Sequence, residues 1–251
     1  MEKIKNFFSK KIVKSIIIAL PIIAIIVLII VFGFSLKEVD YSSDLNRFTR
    51  EEVKQYLDTH KIDNSFTFWL KSKISFLRND IDLFEDYEVK LKSPGKVEVV
   101  AHERVIEGFI KDKTNNYYFD KSGEVLKVSS EKCQGVPKVK GLEYERIGLY
   151  QKIKVTKKEK LNALLELATA IKEYGYDIKT LYVNDFLEVG IKIRKLKVEF
   201  GKTKNLQRKL AVFSDMYPKL KEKNYKGVLD MKFLNTDGKY IIKQTKKKKR
   251  K

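Results

Sequence analysis

The chain has 251 residues, 53 Lys and Arg against 33 Asp and Glu, a formal net charge of +20 and 43% apolar residues. This length is enough for one or two domains with a buried core, which excludes a wholly disordered protein. The single cysteine, Cys133, excludes an internal disulfide, and with only His60 and His102 the chain lacks the ligands of a structural zinc module. The basic charge suits nucleic acid, anionic lipid or an acidic polymer, so the compartment must decide among them.

The longest apolar segment comprises residues 15–36, which carry no charged side chain. As a helix these residues would span about 33 Å, enough to cross a hydrocarbon core of about 30 Å. The apolar region of a cleaved signal peptide is shorter, about 7 to 15 residues, and it precedes small residues rather than the bulky Phe32 and Phe34 found here. We therefore predict a retained transmembrane helix over 15–36, with Pro21 inside it.

Basic residues are distributed unequally on the two sides of this segment. Five lysines precede it in a basic tail of residues 1–14, whereas only Lys37, Arg47 and Arg50 occur between residues 35 and 50. By the positive-inside rule the amino terminus is cytoplasmic and everything after residue 36 is outside the membrane. This orientation argues against DNA or RNA as a partner despite the basic charge.

Residues 37–104 predict a small module with the order strand, helix, helix, strand, strand. A short strand over 37–41 is followed by a capping box, Thr49 to Glu52, which begins a helix that runs to Leu57. A second helix is predicted from apolar residues that share one face, namely Phe66, Leu70, Ile74 and Leu77. Alternating residues 87–92 and 97–101, separated by Pro94 and Gly95, predict a hairpin.

Residues 105–242 predict mainly strands with two helices. Expected in order are a hairpin over 115–126, a linking loop over 135–141, a helix from the capping box at Thr156 to Tyr174, strands over 187–193 and 196–200, a helix from Thr203 to Tyr217, and strands over 228–234 and 240–242. Pro218 is expected to end the second helix. Residues 243–251 are expected to be a disordered polybasic tail because like charges repel.

Five short motifs occur in order behind the predicted span. They are Pro94-Gly95-Lys96-Val97 with Glu103-Arg104, Tyr118-Phe119-Asp120 with Gly123, Val136-Pro137 with Gly141, Phe200-Gly201 with Lys209-Leu210, and Leu229-Asp230-Met231-Lys232. In this arrangement the chain resembles the bacterial FtsQ/DivIB division family. The resemblance implies an α+β fold in which a single transmembrane helix precedes a POTRA domain over 37–104 and a mixed sheet and helix β-domain over 105–242.

The same resemblance implies a non-enzymatic divisome scaffold at the division septum, without a cofactor or a metal. Its expected partners are FtsL-like and DivIC/FtsB-like single-span proteins, and through them the septal peptidoglycan synthases. The family's late β-domain strands imply a partner-binding site at Leu229, Asp230, Met231, Lys232, Phe233 and Leu234. The alternative for this segment is an ordinary strand with Leu229, Met231 and Phe233 packed inward.

Two other functions were weighed against the scaffold. A sortase-like transpeptidase would use Cys133 with His102 and either Arg104 or Arg146, but the residues around the cysteine lack the sortase pattern, so we predict no enzyme. A membrane-anchored protein that binds teichoic acid or anionic lipid would use the tail residues Lys246, Lys247, Lys248, Lys249, Arg250 and Lys251.

Three further residues are interpreted as structural. Glu103 and Arg104 are expected to make salt bridges or hydrogen bonds at a domain junction. Asp120 is expected to be a turn residue.

Overall fold

The computed structural model of the chain describes the backbone of residues 2–233 and 241–243 and the side chains of residues 15–233. The chain divides into a first unit, Met1–Arg104, and a second unit, Val105–Lys251. Helices and sheets occur in both units, which confirms the α+β class. The identification of the first unit as a POTRA domain stays a prediction.

Helix α1, Glu2–Gly33, contains Pro21 and begins the first unit. Its segment Ser15–Gly33 is long and apolar enough to cross a membrane, and none of it is buried within the protein. The helix ends three residues before the predicted end of the span. Leu36 is instead buried in the first unit, and its N–H donates to the carbonyl of Asp63 over 2.7 Å.

The rest of the first unit follows the predicted order of elements. They are β1 Glu38–Ser43, α2 Arg50–Thr59, α3 Ser65–Ser72, a one-turn 3₁₀ helix Ser75–Leu77, β2 Phe84–Ser93 and β3 Lys96–Glu103. The sheet order is β1-β3-β2, in which β1 is parallel and β2 antiparallel to β3. The predicted capping box is confirmed, since Thr49 Oγ1 accepts from the Glu52 N–H and the Glu52 carboxylate accepts from the Thr49 N–H.

The prediction for α3 was wrong in its length and its buried face. The helix ends at Ser72, and Phe68 is buried, whereas Leu70 is exposed. Phe68 stacks on Tyr87 of β2 with ring centroids 6.1 Å apart, and this contact sets the rotation of the short helix. The apolar spacing alone did not reveal which residue would meet the sheet.

Glu103, at the end of β3, is a buried carboxylate that joins three parts of the first unit. It accepts hydrogen bonds from the Tyr41 hydroxyl at 2.6 Å, the Ser43 hydroxyl at 2.6 Å, and the N–H groups of Arg47 at 2.8 Å and Phe48 at 3.3 Å. Because four donors converge on it, the carboxylate links β3 to the end of β1 and to the loop before α2. The interpretation of Glu103 as a structural hydrogen-bonding residue is confirmed.

We predict that Glu103→Ala lowers the free energy of unfolding of the first unit by about 3 kcal/mol, because several buried donors lose their acceptor. Urea unfolding of the full chain in detergent, followed by the fluorescence of Trp69, the only tryptophan, measures this unit specifically. Glu98→Ala is the control, since it removes only a surface ion pair with Lys92 and is expected to cost under about 0.5 kcal/mol. Equal effects of the two substitutions would contradict the role of Glu103.

The second unit contains two helices and, among its described strands, two sheets. Its elements are β4 Ile106–Asp112, β5 Asn115–Asp120, β6 Val125–Ser129, β7 Lys138–Lys140, β8 Tyr144–Arg146, β9 Lys154–Val155, α4 Lys158–Lys172, β10 Ile178–Val183, β11 Val189–Ile193, β12 Leu196–Gly201, α5 Leu206–Glu222, β13 Gly227–Asp230 and β14 Ile241–Lys243. Nine strands form one sheet in the order β14-β13-β12-β11-β10-β7-β4-β5-β6, while β8 pairs only with β9 among the described strands.

The two helices pack on one face of the nine-stranded sheet. The main core includes Leu164 and Leu167 of α4, Ile191 and Val198 of the sheet, and Phe213 of α5. A smaller cluster of Ile106, Phe109, Tyr118 and Val136, with Cys133 against it, involves strands β4 and β5. Phe109 and Tyr118 belong to this smaller cluster, whereas their neighbours Ile110 and Phe119 belong to the main core, so the two clusters lie on opposite faces.

The predicted linking loop over 135–141 was wrong for its second half. Residues 138–140 form β7, which lies between β4 and β10 and is parallel to both. Val139 is buried in the main core, while Lys138 and Lys140 point to the other face. Three residues are too few for an alternation pattern to be recognised in a sequence.

The start of α4 and the end of α5 both differ from prediction. The predicted cap at Thr156 was wrong, since α4 begins after Lys157 without a side-chain cap. The Thr156 N–H donates to the backbone carbonyl of Glu143 over 3.0 Å. Helix α5 continues through Pro218 to Glu222. Pro218 is exposed, so the carbonyl that loses its N–H partner lies on the side of the helix where water is near.

Two predicted strands are shorter in the structure than in the sequence pattern. Leu187 has a positive φ of 60° in the turn before β11, so this strand begins at Val189. Strand β13 ends at Asp230 rather than at Leu234. Residues 244–251, which include the predicted polybasic tail apart from Lys243, lie outside the described residues.

Candidate partner-binding surface

The face of the sheet opposite the helices carries a row of polar residues over strands β10 to β13. The strand registers place Tyr182 beside Gly190, Gly190 beside Glu199, and Glu199 beside Asp230. Each of these positions alternates with a neighbour that is buried against the helices, such as Leu181, so the row faces away from the main core. We call this surface the outer face. It comprises Tyr182, Gly190, Glu199 and Asp230 of the row, with Glu188, Lys197 and Lys232 bonded to it.

Tyr182 lies flat over Gly190 and reaches the next strand. Its hydroxyl donates to the carbonyl of Val198 on β12 over 3.0 Å. A Cβ atom at Gly190 would clash with both the tyrosine hydroxyl and that carbonyl, so this position requires glycine. Burial, and then the nearby carboxylates of Glu199 and Asp230, raise the pKa of Tyr182, which therefore keeps its proton as a donor.

Four charged side chains form an ion-pair network at the β11 to β13 end of this face: Glu188, Lys197, Glu199 and Lys232. The Lys232 ammonium lies 2.7 Å from Glu188 Oε2 and 3.3 Å from Glu199 Oε2. The Lys197 ammonium lies 2.6 Å from Glu199 Oε1 and 4.6 Å from the ring centroid of Tyr182. The network therefore links Lys232, just beyond the end of β13, to strand β12 and to the start of β11.

The network lowers the pKa of Glu188 and Glu199 and raises the pKa of Lys232. The hydrogen bond from Lys232, followed by that from Asn184, lowers the pKa of Glu188. Burial would raise the pKa of Glu199, but the hydrogen bond and charge of Lys197 and the charge of Lys232 outweigh it, so this pKa is also lowered. The hydrogen bond to Glu188 raises the pKa of Lys232. These shifts favour the charged forms of Glu188, Glu199 and Lys232.

The predicted partner-binding residues divide into three groups. Leu229 and Met231 are completely buried in the main core. Asp230 Oδ1 accepts from the Lys232 N–H over 3.1 Å, which turns the chain away from the strand, and Lys232 belongs to the network. Phe233 is 82% exposed, so the alternative of an ordinary strand with this residue packed inward is wrong for Phe233. Leu234 lies outside the described residues, as do Lys246, Lys247, Lys248, Lys249, Arg250 and Lys251.

Cys133 and His102, which were considered for catalysis, contact nearby side chains in two different units of the chain. The Cys133 N–H donates to the Tyr118 hydroxyl over 2.9 Å, and His102 Nδ1 lies 3.3 Å from an Asp44 carboxylate oxygen. Cys133 belongs to the second unit, whereas His102 and Arg104 belong to the first. Within residues 2–233 and 241–243, no group of three or more His, Cys, Asp or Glu could hold a metal ion.

Asp120 is confirmed as a turn residue. Its Oδ1 accepts from the N–H groups of Ser122 at 2.9 Å and Glu124 at 3.0 Å, which stabilises the turn between β5 and β6.

Four residues of the outer face were missed in the sequence: Tyr182, Glu188, Lys197 and Glu199. They come together through the registers of the consecutive strands β10, β11 and β12, and Lys232 joins them from beyond β13. The signal that could have found them is Gly190, a glycine in the middle of an alternating strand, because such a residue marks a close approach by another group.

We predict that Gly190→Ala destabilises the second unit by about 3 kcal/mol or more, since the added methyl displaces Tyr182 and strains the pairing with β12. Hydrogen exchange of the amides in β11 and β12, measured by mass spectrometry on the full chain, reports this loss. Gly175→Ala is the comparison, because no atom lies within 4 Å of a Cβ there and only its φ of +62° is unfavourable. Protection unchanged by Gly190→Ala would contradict the packing of Tyr182.

We predict a pH-dependent effect of Lys232→Met. Lowered pKa values of Glu188 and Glu199 mean that their stabilisation is present above their unfolded pKa of about 4.3 and is lost as the pH falls through the folded values. The variant should be about 1 kcal/mol less stable than the parent chain at pH 7, and this difference should shrink at pH 3. Exchange protection of β12 at both pH values measures it.

Lys192→Met, at an exposed lysine on the same face, is the control for this experiment. It should leave the pH dependence unchanged. A constant difference between Lys232→Met and the parent chain from pH 7 to pH 3 would contradict the network.

Residues 108–236 match the family described as FtsQ/DivIB, C-terminal related. The match begins inside β4 and includes strands β5 to β13, both helices of the second unit and every member of the ion-pair network. No curated protein sequence matches the chain.

Proposed function

The chain belongs to the FtsQ/DivIB family of non-enzymatic cell-division proteins, and on that premise we propose that it is a membrane-anchored scaffold of the division complex. Its second unit binds small single-span division proteins of the FtsL-like and DivIC/FtsB-like kinds outside the membrane. Through them it regulates the septal peptidoglycan synthases. The amino terminus is cytoplasmic, and the protein is concentrated at the division septum.

The observation that carries this proposal is the exposed Phe233, which follows Met231 and Lys232 beyond the end of β13. An aromatic side chain that is 82% exposed beside the end of a sheet is suited to fill an apolar pocket of a partner. The network supports this use, because Lys232 is held by Glu188 and Glu199 and so fixes the backbone that presents Phe233. The partner gains an anchor that is already positioned.

The end of the sheet supplies the second part of the proposed recognition. Strand β14, which pairs with β13, is the outermost described strand on this side. A partner segment in extended conformation adds to such an end through backbone hydrogen bonds, while Phe233 provides an apolar contact. Bitopic partners in the same membrane are suited to this mode because their exported segments reach the second unit at high local concentration.

We predict that a photo-reactive phenylalanine analogue at position 233 crosslinks, in growing cells, to single-span division proteins. The same analogue at Leu149, which is also exposed in the second unit, is the control and should give no such product. Phe233→Ala should weaken the affinity for the captured partner by about 10-fold or more. Crosslinking that is equal at the two positions, or absent from both, would contradict the proposed site.

A second candidate function, binding of an anionic envelope polymer, is favoured by the lysines around β7. Burial, followed by the charges of Lys140, Lys111 and Lys132, lowers the pKa of Lys138. The four lysines are therefore close enough to influence one another electrostatically and form a basic patch. Binding of teichoic acid should then fall as salt rises and should decrease when Lys138 and Lys140 become Gln. A chain without residues 246–251 separates the contribution of the tail. Binding that depends on neither change would exclude this function.

A further inference from the structure

The start of α3 is bonded to the end of α1 by both side-chain and backbone groups. Asn64 Nδ2 donates to the carbonyl of Ile30 over 2.8 Å, and the Ser65 N–H donates to the carbonyl of Phe34 over 2.7 Å. The buried Ser65 hydroxyl also donates to Phe34 and accepts from the Gly95 N–H. Because Ile30 lies inside the apolar segment Ser15–Gly33, α3 must begin where that helix leaves the hydrocarbon.

Aromatic rings continue from this junction onto α3. Phe34 meets Phe66 edge to face with ring centroids 5.5 Å apart, and Phe66 meets Trp69 at 5.8 Å. Trp69 is the only tryptophan of the chain and is half-buried. Tryptophan and other amphipathic rings are enriched at the level of lipid headgroups, so this row has the composition of a membrane interface.

Exposed apolar side chains extend the row beyond Trp69. Leu70 is 42% exposed, Phe76 in the 3₁₀ helix is 85% exposed and Leu77 is 45% exposed. Single exposed apolar residues are ordinary, but these lie close together in the chain, in a segment whose first residues are bonded to the end of α1. We call Phe66, Trp69, Leu70, Phe76 and Leu77 the apolar edge of the first unit.

We propose that this apolar edge rests on the outer surface of the bilayer, so that α3 and the 3₁₀ helix act as an interfacial membrane-binding segment. The occupant is lipid rather than another protein, because the edge is continuous with the segment that crosses the membrane. Lys71, in the last turn of α3, then extends to the headgroups while its neighbours contact the acyl boundary. The membrane thereby restricts the tilt of the first unit.

The test uses the full chain in phosphatidylcholine and phosphatidylglycerol vesicles, with one tryptophan moved along the first unit. In a Trp69→Phe background, Leu77→Trp reports on the apolar edge. Leu45→Trp reports on the region just beyond the carboxyl end of β1, which is the end of that strand farther from α1. The two leucines are matched in exposure, 45% and 40%. Leu45 follows Ser43, the last residue of β1, which lies about 17 Å along the strand from Glu38 near the membrane span.

Quenching by brominated lipids and by aqueous iodide gives the readout. The proposal predicts blue-shifted emission at position 77, with severalfold stronger quenching by brominated lipid than at position 45, and the reverse order with iodide. Emission at position 77 that is water-like, or lipid quenching that is equal at the two positions, would overturn it. Because the vesicles contain no other protein, an edge that is covered by a partner instead of lipid gives the water-like result.

A second pair of variants retains Trp69 in case its replacement prevents folding. Phe76→Ser should shift the Trp69 emission to longer wavelength and weaken its quenching by brominated lipid, whereas Leu45→Ser should not. Circular dichroism verifies that both variants are folded. No difference between these two folded variants would also overturn the proposal.

Discussion

The backbone N–H and C=O groups of a sheet must be paired, and this requirement determines how the second unit is built. Nine strands satisfy one another from β6 to β14, with the three-residue β7 placed between β4 and β10 to join the two halves. A sheet that does not close on itself has an edge strand at each end, and among the described strands these are β6 and β14. The proposed addition of a partner segment uses the β14 end of this sheet.

The polar groups of the second unit are engaged in holding its elements together. The buried Lys160 of α4 places its ammonium 2.6 Å from Asp185 in the β10–β11 turn. The buried Lys209 of α5 donates to the carbonyl of Phe200 over 2.6 Å, and burial lowers its pKa. Together with the ion-pair network, these contacts join α4, α5 and the strands to one another. A surface held in this way loses less conformational entropy when a partner binds, which suits the proposed scaffold role.

The sequence was sufficient for the elements that are defined by local signals. The capping box at Thr49 and the hairpins of β2 with β3 and of β5 with β6 were predicted correctly. Where tertiary contacts outweigh local preference, prediction failed. Strand β7 is too short to show an alternation pattern. Thr156 is hydrogen-bonded to Glu143 beside β8 and does not cap α4, and α5 continues past Pro218 to Glu222.

The candidate site could be predicted only in part for the same reason. The motif at Leu229 to Lys232 predicts a partner site, which stays a prediction; in the structure two of its residues, Leu229 and Met231, are core, and Phe233 is exposed. Tyr182, Glu188 and Glu199 lie on or beside the consecutive strands β10, β11 and β12, whereas Lys232 follows β13, which α5 separates from β12 in the chain. The side chains meet only in one register of these strands, and the alternation pattern alone does not specify that register.

The division role is tested most directly by live-cell imaging of the chain with a fluorescent protein at its cytoplasmic amino terminus, with and without depletion of the native copy. A band at midcell, with filamentous cells on depletion, is the result that a division scaffold predicts. A uniform membrane signal with normal septa after depletion would contradict that role.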